Sequence, residues 1–239
     1  PNAISVSRMV LTIPAVLLLL NGGSLALLIA IVLLNYLELT DAADGYIARK
    51  RNQVTDIGKL LDPMFDSLCR FTVFATLLVM DVLPLWMLLI FFYRDVSVSY
   101  YRAFSAQRNV TMSARVSGKV KAVVQGVGVL LVCILMFSQK LEVDPQPFAD
   151  STFWMVLGAS VGATVVFLLA FRIWGPVVAT ISAVGGGTVI LITAVWVTKL
   201  VVPYSDQAIW GVLFAVTMVT LWSYVDYTRG FLEVLRKSS

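Results

Sequence analysis

About eight stretches of this sequence are apolar for long enough to cross a bilayer as helices, and they leave room for little else. They run near residues 9–21 (short unless extended upstream), 24–48, 58–80, 83–105, 117–138, 152–171, 177–198 and 207–228. A helical span needs about 20 residues. Turn formers divide the runs: Asn21-Gly22-Gly23-Ser24, Pro84, Pro145 with Pro147, Gly175-Pro176 and Pro203. Period-two strands with polar turns are absent, which argues against a β-barrel. The chain therefore predicts an all-α fold, a polytopic membrane helix bundle of about eight spans forming one domain over 1–239. Only 13% of the residues are charged, about half the usual share of a soluble domain.

Lysines and arginines in the short loops set the orientation. Arg8, Arg49, Lys50, Arg51, Arg102, Arg108, Lys119 and Arg229 fall on one side, while the other holds Lys140 and Lys199 beside Glu142, Asp144 and Asp206. This asymmetry predicts a cytoplasmic N-terminus. The net charge of +4 then faces an anionic lipid surface and gives no cause to invoke nucleic acid. Cys69 and Cys133 sit within separate runs and are expected to be free thiols.

Within this apolar frame, one segment is dense in acids. Asp41, Asp44, Gly45 and Ala48 stand at i, i+3, i+4 and i+7, one face of a helix. Asp62, Asp66 and Arg70 stand at i, i+4 and i+8, one face of the next. The short basic link between them predicts antiparallel neighbours with their acidic faces together. Four converging carboxylates repel unless cations neutralise them, and with no histidine in the chain an all-oxygen donor set favours Mg²⁺ or Mn²⁺. The same absence removes His-based nucleophile systems and a His general base. Such a cage suits a two-metal phosphoryl site. Gly45 and Ala48 would let a pyrophosphate approach the backbone, and Arg49 can pair with phosphate oxygens. Each element has a plainer reading alone. Intramembrane acids can serve an ion pathway or a salt bridge, Gly45 and Gly58 can be packing residues, and Arg49-Lys50-Arg51 can be a positive-inside anchor.

Together these positions spell D-x2-D-G-x2-A-R-x8-G-x3-D-x3-D without a departure. That pattern resembles the motif of the CDP-alcohol phosphatidyltransferases, which join an alcohol to the phosphate of a CDP-linked lipid. Pro1-Asn2-x2-Ser5-x2-Arg8 resembles the P-N-x2-T-x2-R opening of bacterial members, with Ser for Thr. Arg94-Asp95, Arg102 and Gly118-Lys119-x-Lys121-Ala122-x2-Gln125 resemble the phosphatidylglycerophosphate synthase branch, which usually has R-E and G-K-x-K-T-x2-Q, so Asp95 and Ala122 depart from it. The closing Leu221-Trp222-Ser223-Tyr224-Val225-Asp226-Tyr227 looks like that branch's last helix.

The resemblance implies two divalent cations, Mg²⁺ or Mn²⁺, held by Asp41, Asp44 and Asp62. It makes Asp66 the catalytic base and possibly a further ligand. Asn2, Asp44, Gly45, Ala48, Arg49 and Gly58 would bind the CDP-lipid, and Arg94, Arg102, Lys119 and Lys121 the phosphate of the acceptor. The implied reaction transfers a phosphatidyl group from CDP-diacylglycerol to glycerol 3-phosphate at the cytoplasmic face of a bacterial inner membrane. Synthesis of phosphatidylinositol phosphate, or use of another alcohol, is the alternative within the family; a cation transporter is the alternative outside it. The family also implies a homodimer. Its members commonly have six spans, so the pair at about 152–198 is expected to be an insertion. Arg94-Asp95, midway along a span, could equally be a mutual or interhelical ion pair.

Overall fold

In a computed structural model of the chain, the described residues are 2–50, 56–107, 115–143 and 205–238, with side chains described over 8–38, 64–105, 107, 115–140 and 205–236. These residues form six helices: α1 (Asn2–Asn21), α2 (Ser24–Lys50), α3 (Asp56–Val79), α4 (Leu85–Gln107), α5 (Val116–Val143) and α6 (Ser205–Ser238). The all-α expectation holds for them, and α1 does extend upstream of its apolar run. The sixth helix outlasts its apolar run because the segment after Asp226 is still helical but carries Arg229, Glu233 and Arg236. The expected pair at 152–198, with Trp174 and the Gly185-Gly186-Gly187 triplet, lies outside the described residues.

Two of these helices, α5 over Val116–Lys140 and α6 over Ser205–Arg236, are long and apolar enough to cross a membrane. Within the residues whose side chains are described, α1 and α2 contribute the apolar segments Arg8–Asn21 and Ser24–Glu38.

The helices pack as a closed ring. Helix α1 lies against α2 and α3, α2 against α5, α5 against α6, α6 against α4, and α4 against α3, while α3 also touches α5 across the interior. Leu19, Leu28, Ile31, Phe74, Leu77, Met87, Cys133, Phe137 and Leu213 are fully buried within it. Buried hydroxyls in this apolar interior bond back into their own helices: Thr217 Oγ1 donates to the Leu213 carbonyl at 2.7 Å and Thr220 Oγ1 to Val216 at 2.8 Å. Many large apolar side chains also lie on the outer surface. Leu17, Leu20, Leu85, Trp86, Phe92, Trp210, Phe214 and Trp222 all face outward, far more exposed apolar surface than water-soluble monomers present. Cys69 and Cys133 are free thiols, as expected.

Two local features set the helix directions. Gly22 takes a left-handed φ of 68° between α1 and α2, a conformation open to Gly without a Cβ penalty. Asp81 does the same after α3 with φ 58°, and the Val82 N–H then donates to the Leu77 carbonyl at 2.9 Å to close that helix.

Candidate active site

Helix α2 stays helical through Lys50 and α3 begins at Asp56. Asp41, Asp44, Gly45 and Ala48 therefore share one face near the end of α2, and Asp62 and Asp66 share one near the start of α3. The side chains of Asn2, Asp41, Asp44, Gly45, Ala48, Arg49, Gly58 and Asp62 lie outside the described residues, leaving Asp66 as the one motif acid whose surroundings are described. Among the described residues no three potential ligands come together. An all-carboxylate donor set remains chemically suited to Mg²⁺ or Mn²⁺.

Asp66 is held from α1: Arg8 Nη2 lies 2.8 Å from Asp66 Oδ1, with the arginine buried. One turn further along α3, Arg70 pairs at 3.5 Å with Glu38 of α2. Glu38 in turn rests directly on α5, where a Cβ on Gly126 would come within 2.8 Å of its Oε2. These groups border a cleft whose polar wall includes Arg8, Thr12, Glu38, Asp66, Arg70 and Gln125, and whose floor is made by Leu34, Leu37, Val73, Val129 and Leu130. The sequence led us to expect α2 and α3 side by side. The acid-bearing stretch on which that expectation rests, residues 39–63, has its side chains outside the described residues; over the described ones α1 packs against both helices, α5 touches both, and Arg70 of α3 pairs with Glu38 of α2.

A second polar cluster joins α4, α5 and α6. Asp95 Oδ1 accepts from Arg94 Nη1 at 2.9 Å and from Lys121 Nζ at 2.7 Å. Arg94 Nη2 also donates to Ser223 Oγ at 2.9 Å, and Arg102 Nη2 donates to Tyr227 Oη at 2.8 Å. Both guanidiniums lie 5.3 Å from the Tyr227 ring centroid, within cation–π range. Beside them, Arg115 Nη1 pairs with Asp226 Oδ1 at 2.6 Å, and Ser117 Oγ donates to Asp226 Oδ2. Three of the four expected acceptor-phosphate residues, Arg94, Arg102 and Lys121, are thus brought together. Lys119 is exposed and stands apart from these contacts. Arg94-Asp95 does form the ion pair raised from the sequence, and Lys121 makes it interhelical.

Several site residues had no signal that sequence alone could resolve. Glu38 and Arg115 belong to no motif in the sequence. Tyr227 read as part of a recognisable last helix without a role.

A family model for the CDP-alcohol phosphatidyltransferases matches residues 1–166, more than half of the chain. The chain belongs to this family. Among similar proteins is the CDP-diacylglycerol–glycerol-3-phosphate 3-phosphatidyltransferase of Bacillus subtilis, 34% identical over 118 residues, covering 49% of this chain and 60% of the relative. The protein of the same name from Rickettsia typhi is 35% identical over 126 residues, covering 52% and 70%. A probable CMP-forming cardiolipin synthase from Drosophila melanogaster is 36% identical over 97 residues, covering 40% and 29%. The first relatives are matched over 60%, 52% and 47% of their own length, so the chain spans about half of them. The family match spans the acidic segment from Asp41 to Asp66. The matched region takes in α1 to α5 and both acid-bearing helices but stops before α6, which nonetheless supplies Ser223, Asp226 and Tyr227 to the second cluster.

Proposed function

We propose that the protein transfers a phosphatidyl group from CDP-diacylglycerol to glycerol 3-phosphate, releasing CMP. The charge balance of the second cluster carries the choice of acceptor. Arg94, Arg102 and Lys121 stand against the single carboxylate of Asp95, three positive charges less one, a formal +2. A phosphate monoester carries about −1.5 to −2 near neutrality. Neutral inositol or zwitterionic serine gains less from such a cluster. Lys119 would add charge at its exposed rim.

In this scheme Asn2, Asp44, Gly45, Ala48, Arg49 and Gly58 seat the CDP-lipid. Asp66 accepts the proton of the acceptor's hydroxyl as that oxygen bonds to the lipid-side phosphorus. The bond from phosphorus to the CMP oxygen breaks, and CMP departs with the electron pair. Two divalent cations bound by Asp41, Asp44 and Asp62, with Asp66 a possible further ligand, would neutralise pyrophosphate charge. Arg8 keeps Asp66 directed into the cleft, and Arg49 balances charge on the phosphates.

The test is a panel assay. Purified protein is incubated with CDP-diacylglycerol, Mg²⁺ and one of glycerol 3-phosphate, inositol phosphate, inositol or serine, and CMP is measured. We expect CMP with glycerol 3-phosphate, and a much higher KM for that acceptor in Arg94→Ala with little change for the CDP-lipid. CMP with inositol phosphate alone would sink the acceptor assignment and leave the family intact.

The proposed setting is a bacterial inner membrane, with one domain of about eight spans including an inserted pair near 152–198, a cytoplasmic N-terminus, a cytoplasmic active site and a homodimer. The loop charge asymmetry and the apolar exterior support the membrane placement. Cysteine tags at Asn52 and Asn109 are expected to label only from the cytoplasmic side, and tags at Gln146 and Ser205 only from the other. Labelling of Asn52 from outside would reverse the orientation.

A further inference from the structure

Tyr227 is fully buried, yet it is the point on which the second cluster turns. Its ring lies under two guanidiniums, those of Arg94 and Arg102. Its hydroxyl oxygen accepts twice, from Arg102 Nη2 at 2.8 Å and from the Arg115 backbone N–H at 3.1 Å. A phenol has one hydrogen to donate as well, and among the described residues that hydrogen has no acceptor. The Nε–H groups of Arg94 and Arg102 are likewise buried and without a partner there. Three donors are therefore unspent in a cluster of formal charge +2, three cations less one carboxylate. Buried donors are costly when left unmade, and a phosphate group offers the acceptor oxygens that would satisfy them.

Helix α5 is shaped to the same residue. A Cβ on Gly118 would lie 2.7 Å from Tyr227 Oη, so the hydroxyl sits directly on the α5 backbone. Any larger residue there must displace it.

We propose that Tyr227 is a specificity-determining residue for the acceptor: it holds Arg94 and Arg102 on its ring and gives its hydroxyl hydrogen to an oxygen of the acceptor's phosphate monoester. The inference rests on the acceptor reading above and adds to it a neutral donor that recognises phosphate from within α6. The motif acids on α2 and α3 take no part in it.

Tyr227→Phe keeps the ring and removes the hydroxyl. The KM for glycerol 3-phosphate is expected to rise about tenfold or more, as for loss of a hydrogen bond to a charged group, with the KM for CDP-diacylglycerol unchanged. A second readout avoids turnover: glycerol 3-phosphate should raise the melting temperature of metal-free wild-type protein in detergent and do so much less in Tyr227→Phe. Gly118→Ala, which keeps the hydroxyl but displaces it, should reproduce the selective KM rise and serves if Tyr227→Phe does not fold. An unchanged acceptor KM in the folded variants, or equal rises for both substrates, overturns the proposal and marks Tyr227 as packing alone. If the wild type releases CMP with inositol phosphate but not glycerol 3-phosphate, the acceptor reading fails while the same comparison with inositol phosphate still decides the role of Tyr227. If only non-phosphorylated alcohols support turnover, both fall.

Discussion

Asp66→Asn is expected to lower turnover by about 10²–10⁴-fold, the usual contribution of a positioned general base. The substitution is nearly isosteric, so the cleft between α1, α2, α3 and α5 should keep its shape. Asparagine retains an oxygen to accept from Arg8, which now lies 2.8 Å from the carboxylate, but it cannot take the proton of an attacking hydroxyl. Binding of the CDP-lipid should survive, because that role falls to Asn2, Asp44, Gly45, Ala48, Arg49 and Gly58. CMP release measured at saturating concentrations of both substrates, with CDP-lipid binding measured separately, distinguishes the two effects. Near-normal turnover would remove Asp66 as the base. The same result for Asp62→Asn would show that the motif acids are not catalytic at all.

The second large effect falls on folding. Asp95→Ala should cost about 3–5 kcal/mol, the scale for breaking a buried pair and leaving charge uncompensated. Lys121 Nζ gives up contacts of 2.7 and 3.0 Å to the two carboxylate oxygens. Arg94 loses its 2.9 Å bond at the same time. Lys121 is almost wholly buried, with 5% of its side chain exposed, so water cannot take the carboxylate's place. The variant is expected to give little monodisperse protein in detergent and a sharply lower melting temperature. Lys119→Ala, at an exposed position two residues before Lys121, should melt like the wild type. Wild-type melting of Asp95→Ala would show that the cluster tolerates unpaired cations and weaken the case for its rigidity.

The parts of this architecture that were legible in advance are those written locally. Helix ends followed from Gly22, Gly23 and Pro84, because turn residues act on their own neighbours. The two acidic faces followed from i, i+3 and i, i+4 spacing, and the motif named the family before any packing was seen. What sequence could not supply was the partner of each charge. Arg94 and Ser223 are 129 positions apart, and Arg102 and Tyr227 are 125 apart, and no periodicity links residues across such a span. Arg94-Asp95 was ambiguous for the same reason: adjacency suggests a local pair, while Lys121 on another helix decides its strength. The Arg70–Glu38 pair that links α3 to α2 is equally invisible to periodicity.

The closing of the helical ring by α6 has a consequence in time. A chain emerges from the ribosome from its N-terminus, and α6 is the last described helix to be made. Until then Arg94 has Asp95 but not Ser223, Arg102 lacks Tyr227, and Arg115 lacks both Asp226 and the tyrosine hydroxyl. A nascent chain ending anywhere before residue 205 thus carries three arginines ahead of their counterparts, beside a gap where one wall of the ring is missing. Its α4 and α5 are then held without α6, the helix that each of them packs against. The helices that carry the motif acids, α2 and α3, are already made at that stage, so they precede in synthesis the helix that supplies Ser223, Asp226 and Tyr227.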